Sequence, residues 1–130
     1  MDKKVTILVV EDEKDLLDSY QELIETAGFI ALTASDGYQA LDTLSKNVGK
    51  IQILLLDLMM PGVDGLEVLR AIKTNTGKYG DMPVIILTNM TSESVIRESF
   101  GLGASSYLVK TDLDYDGLVK ELNKYVGQNI

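Results

Sequence analysis

The order of apolar patterns along the chain predicts an α/β domain built on a doubly wound sheet. Three observations carry this. Strand-length apolar runs stand at Val5 to Val10, Ile51 to Leu56 and Val84 to Leu87, with weaker ones around Ile30 to Leu32 and Tyr107 to Val109. These runs lack a polar residue at every second place, as in parallel strands covered on both faces. A helical pattern follows each run, so the chain reads as strand then helix, five times over.

After the first run, Leu16, Leu17, Tyr20, Leu23, Ile24 and Ala27 recur at helical spacing, and Gly28 stands where a C-terminal cap belongs. Ala40, Leu41 and Leu44 mark a second helix opened by Ser35 or Asp36, and Leu66, Leu69 and Ile72 a third opened by Asp64. Val95, Ile96 and Phe100 mark a shorter fourth. Leu118, Val119, Leu122, Tyr125 and Val126 mark the fifth, with Gly127 behind it. The segment TNTGKYGDMP, residues 74–83, reads as one surface loop. Neither a domain boundary nor a repeat interrupts the pattern, which predicts one domain over residues 1–130.

Composition excludes whole classes of chemistry. The 130 residues are 45% hydrophobic and 25% charged, enough apolar material for a folded core. They contain no cysteine and no histidine, so disulfides, zinc thiolates, thiol catalysis and histidine triads are absent. A net charge of −8 argues against a nucleic-acid surface, and no apolar run approaches a membrane span. The N-terminus lacks a cleavable leader pattern, and the expected location is the cytoplasm.

Ligands of open α/β sheets sit beyond the carboxyl ends of the strands. Glu11 and Asp12 follow the first predicted strand, Asp57 the third, Thr88 the fourth and Lys110 the fifth. If those four strands are neighbours, three carboxylates, a hydroxyl and an ammonium share one crevice. Such carboxylates suit Mg²⁺, which takes oxygen ligands and retains several waters. A carboxylate beside the metal can attack phosphorus to form an acyl phosphate, while the lysine and hydroxyl meet the phosphoryl oxygens. Taken singly, Asp57 also fits a turn former, Glu11 to Glu13 a solvated helix start and Tyr107 a core side chain. Their joint placement at four strand ends favours the shared site.

The segments VVEDE, LLLDLMMPGVDG, ILTN and SYLVK, in this order, resemble the receiver domain of two-component response regulators, from about Val5 to Val126. The resemblance implies a flavodoxin-like five-stranded parallel sheet of order 2-1-3-4-5 flanked by five helices. It implies Asp57 as phospho-acceptor, Asp12 and Asp57 as Mg²⁺ ligands, Glu11 as a ligand through water, and the backbone carbonyl of Met59 as a further ligand. Thr88 and Lys110 match the phosphate-binding pair, and Tyr107 the aromatic that changes rotamer. The implied partners are a sensor histidine kinase or a histidine phosphotransfer protein upstream, and a downstream protein on the face of the fourth helix, fifth strand and fifth helix. In the family a proline usually follows the lysine through a cis bond; here Thr111 follows, and a non-proline cis bond costs roughly 2.5–4 kcal/mol. The route into the last helix is therefore left open. A stand-alone regulator and a domain excised from a longer protein both fit the chain.

Other motifs fail on context. GLGASS, residues 101–106, follows a helix and precedes a strand, the reverse of a dinucleotide fingerprint, and reads as a helix stop. TGKYG lacks the glycine spacing of a phosphate-binding loop. Glu11 to Glu13 would repel a flavin phosphate. The competing enzymatic reading is a Mg²⁺-dependent aspartyl-phosphate hydrolase, which resembles its relatives only with a second Asp two residues after the nucleophile. Met59 stands there, and it cannot shuttle a proton.

Overall fold

The computed structural model describes residues 4–126, so Gly127 lies outside the described residues. Five strands, β1 (Thr6–Val10), β2 (Ile30–Ala34), β3 (Ile53–Leu56), β4 (Val84–Thr88) and β5 (Ser106–Val109), form one parallel sheet of order β2-β1-β3-β4-β5. The helices are α1 (Lys14–Thr26), α2 (Gly37–Lys46), α3 (Gly65–Thr74), α4 (Thr76–Tyr79), α5 (Glu93–Gly101) and α6 (Tyr115–Val126). The predicted sheet order and its five flanking helices are present, and α4 is an additional single turn.

Successive side chains of a strand point to opposite faces, and the sheet uses both. Leu8, Val10, Leu54, Leu56, Val84 and Ile86 pack with Ala40, Leu44, Val68, Leu69 and Ile72 of α2 and α3. Ile7, Val9, Ile53, Leu55, Ile85 and Leu87 pack instead with Ile24 of α1 and with Leu118 and Leu122 of α6. Every residue of β3 and β4 is buried. The unbroken apolar runs therefore reflect a central position between two helical layers.

The helix boundaries follow their caps. Asp36 and Asp64 open α2 and α3, each accepting a hydrogen bond from the backbone N–H three residues on. Gly28 takes φ 98° just past α1, and the Phe29 N–H returns to the Ile24 carbonyl. Gly103, at φ 110°, ends α5 in the same manner, with the Ala104 N–H bonded to the Ser99 carbonyl.

Two expectations are corrected. Residues 74–83 are not one loop: α4 forms because the Asn75 carbonyl accepts from both Lys78 and Tyr79 N–H, while Tyr79 packs on the core. The third strand begins at Ile53 rather than Ile51; Ile51 is buried but lies outside the ladder. After β5 the described peptide bonds are all trans, and a 3-10 turn, Lys110–Asp112, leads toward α6.

Candidate phosphoryl and metal site

The parallel arrangement brings the carboxyl ends of β1, β3, β4 and β5 to one edge of the sheet. The cleft there, about 220 Å³, is lined by Glu11, Asp12, Asp57, Met59, Asn89 and Lys110, with Glu13 and Leu16 beside them. Of the residues singled out from the sequence, Glu11, Asp12, Asp57, Met59 and Lys110 meet in this cleft. Thr88 lies fully buried as the last residue of β4, and half-buried Tyr107 occupies β5 next to it.

Asp57 is 4% exposed, yet each of its carboxylate oxygens has a hydrogen-bond partner. The Lys110 Nζ donates to Oδ2 at 3.0 Å and the Met59 N–H to Oδ1 at 3.1 Å. Glu11, 1% exposed, accepts from Lys110 through Oε1 and from the Glu13 N–H through Oε2 at 3.2 Å. Asp12 is exposed at the mouth. One carboxylate oxygen each from Glu11, Asp12 and Asp57 can be chosen so that all lie within 4.8 Å of one another. A buried acid at the end of an apolar strand is tolerable where a cation and an N–H satisfy its carboxylate.

The protonation equilibria follow the geometry. Burial raises the Glu11 pKa, and the Lys110 bond only partly offsets it. Burial alone would lower the Lys110 pKa, but its bonds to Glu11 and Asp57 outweigh this and leave it raised. Lys110 has two carboxylate partners, whereas Glu11 has one lysine and the like charge of Asp57, which adds to the rise. Burial raises the Tyr107 pKa and the charge of Asp57 adds to it, which places the ring within electrostatic reach of the site.

Thr88 and Tyr107 converge on one residue that sequence reading did not single out. The Thr88 Oγ1 accepts from the Met90 N–H at 3.4 Å, and the Tyr107 hydroxyl donates to the Met90 carbonyl at 2.7 Å. Asn89 in the cleft wall was also missed. Its one sequence signal is its position directly after Thr88.

A sheet of order 2-1-3-4-5 with three clustered carboxylates and a lysine at its carboxyl edge defines a CheY-like fold carrying an acidic, metal-compatible pocket. The chain belongs to the response regulator receiver domain family, whose model matches residues 7–123. It is 40% identical over 104 residues to the transcriptional regulatory protein CpxR of Escherichia coli K12, covering 80% of this chain and 42% of CpxR. It is 37% identical over 106 residues to the response regulator MprA of Mycobacterium sp. strain KMS, covering 82% and 44%. The chain thus spans less than half the length of these relatives. The chemotaxis protein CheY4 of Vibrio cholerae superposes with a TM-score of 0.86 at 27% identity, over 95% of this chain and 100% of that one. A receiver domain protein of Clostridium thermocellum superposes with a TM-score of 0.86 at 31% identity, over 95% of each. Membership makes the domain a receiver module of the two-component response regulator kind. Among the described residues no helix is long and apolar enough to cross a membrane.

Proposed function

We propose that the domain is a phosphorylation-controlled switch whose Asp57 takes a phosphoryl group from a phosphohistidine, in a Mg²⁺-dependent reaction. The donor is a sensor histidine kinase or a histidine phosphotransfer protein. The observation that carries this reading is a buried Asp57 carboxylate bonded by Lys110, with Glu11 and Asp12 oxygens within 4.8 Å. An all-oxygen donor set of this kind fits Mg²⁺. Asp12 and Asp57 would ligate it directly, Glu11 through water, and Met59 by its backbone carbonyl. When bound, the ion supplies positive charge to the carboxylates and the phosphoryl oxygens.

The protein's own groups account for the remaining steps. An Asp57 oxygen attacks phosphorus; the O–P bond forms as the donor N–P bond breaks, and the imidazole leaves with the electron pair. Lys110 follows the negative charge onto the phosphoryl group, and the Thr88 hydroxyl donates to a phosphoryl oxygen. A Thr88 drawn that way releases the Met90 N–H, on the residue whose carbonyl holds Tyr107. This shared residue supports coupling between the site and the face of α5, β5 and α6, where Phe100 and Tyr115 are 48% and 45% exposed. That face is the proposed contact for a downstream protein. A full swing from 1:99 to 99:1 needs about 5.5 kcal/mol, whereas one charge-assisted hydrogen bond contributes about 1.5–3, so Thr88 alone gives an incomplete switch.

Intact mass after incubation with a small acyl-phosphate donor and Mg²⁺ tests the acceptor. The parent should gain one hydroxylamine-sensitive phosphoryl group and Asp57→Asn none. An equal adduct on Asp57→Asn would place the acceptor elsewhere.

A further inference from the structure

Two glycines outside the cleft press directly on the segment that carries Asp57. Gly65 opens α3, and its N–H donates to the Leu58 carbonyl at 3.2 Å. A Cβ added there would run into the Asp57 carbonyl oxygen and stand 2.5 Å from the Leu58 Cα. Gly37 opens α2, where a Cβ would stand 2.7 Å from the Val63 carbonyl oxygen and 2.9 Å from a Val68 methyl. Neither glycine has a positive φ, so other residues could adopt both backbone conformations. Space, not conformation, selects glycine here, at helical positions where it is a poor helix former.

We infer that Gly65, with Gly37, is a positioning residue for Asp57, fixing the acceptor carboxylate by close packing at both ends of the β3–α3 loop, against backbone at Gly65 and against the Val63 carbonyl and two valine side chains at Gly37. On its other side the Asp57 N–H donates to the Val10 carbonyl at 3.1 Å, so residues 57–58 are held between β1 and the start of α3. The atoms facing Gly65 are mainly backbone, which cannot change rotamer to make room. A methyl group at Gly65 must push residues 57–58 and the start of α3 apart. The Asp57 carboxylate would then shift against Lys110 and the Met59 N–H, now 3.0 and 3.1 Å away. A misplacement of 1 Å in a reacting group can cost on the order of 100-fold in rate. A displacement of part of that size should cost about tenfold.

The inference rests on Asp57 being the acceptor, and the experiment separates the two. Parent, Gly65→Ala, Gly37→Ala and, as control, Gly101→Ala are phosphorylated with the same small acyl phosphate, at a temperature where circular dichroism shows each folded. Gly101 is helical with open space around its Cα, so its variant should keep the parental rate. Gly65→Ala should be slower by about tenfold and Gly37→Ala by a smaller factor, since its contact lies at the far end of the loop. In the metal-free protein the Met59 amide NMR resonance, which reports the bond to Asp57 Oδ1, should move in Gly65→Ala and stay in Gly101→Ala. A stability effect alone would leave that resonance of the folded state in place. A folded Gly65→Ala with parental rate and Met59 resonance overturns the inference. So does full recovery of the rate on adding Leu58→Ala, which would put the collision on a side chain. Should Gly65→Ala not fold, Gly37→Ala decides: a slower rate supports the clamp and a parental rate refutes it. A parent that takes up no phosphoryl group would instead defeat the acceptor assignment.

Discussion

Lys110 bonds both Glu11 and Asp57, so its removal leaves two buried carboxylates facing one another. Breaking a buried pair by removing one partner costs about 3–5 kcal/mol, and protonation of Glu11, whose pKa is already raised, limits the loss. Lys110→Met should lower the metal-free unfolding free energy at pH 7 by about 3 kcal/mol in urea titrations. A loss below about 1 kcal/mol would mean that the lysine is not what makes these acids tolerable. Glu121 gives the opposite pH behaviour to Glu11. Burial pushes its pKa up, but the Ser106 hydroxyl at 2.7 Å and Lys124 at 3.0 Å outweigh this and leave it lowered. Its contribution to stability is therefore present above the ordinary value near 4.5 and is lost as pH falls through the lowered folded value. Glu121→Gln should be less stable than the parent at pH 7, and the difference should close on acidification through that window. A difference independent of pH would assign the effect to packing rather than charge.

At the scale of elements, the helix caps were readable because they are local. Asp36 and Asp64 each bond the N–H three residues on, an interaction that needs only the chain around it. Asp36→Ala should cost about 1 kcal/mol in urea titrations, the usual loss when a side-chain cap is removed. Gly101→Ala should gain up to about 1 kcal/mol through helix propensity, because nothing lies within 4 Å of the added methyl. The α4 turn was not readable. Its four residues are too few to show a period, and Tyr79 orders the segment through contact with a core assembled from distant residues.

At the scale of the whole molecule, three carboxylates cluster at one edge of a chain of net charge −8, an arrangement that a divalent cation would relieve of like-charge repulsion. At tenfold excess over its dissociation constant, Mg²⁺ should stabilise the fold by roughly 1.4 kcal/mol. In a domain of this size that raises Tm by about 5 °C at constant ionic strength. Asp57→Asn should reduce the gain, and an unchanged parental Tm at saturating Mg²⁺ would count against the metal site.

The α/β class, the number of strands and the residues at the strand ends were legible in the sequence, because periodicity, caps and apolar run length are properties of neighbouring residues. The sequence also brought out Glu11, Asp12, Asp57, Thr88 and Lys110 as one set, on the condition that their strands adjoin. Only the tertiary structure met that condition, since the order of strands is decided by crossover packing between segments far apart in the chain. It also decided which contacts those residues make. Lys110 could have faced solvent, but the arrangement of β1, β3 and β5 turns its ammonium between Glu11 and Asp57, 99 and 53 residues away. The path of the loop after β4 brings Asn89 to the cleft and Met90 between Thr88 and Tyr107, while Gly37 and Gly65, outside the cleft, mark how closely two helices approach the β3–α3 loop. Such close approaches depend on the positions of backbones packed in three dimensions, which no local pattern of side chains encodes.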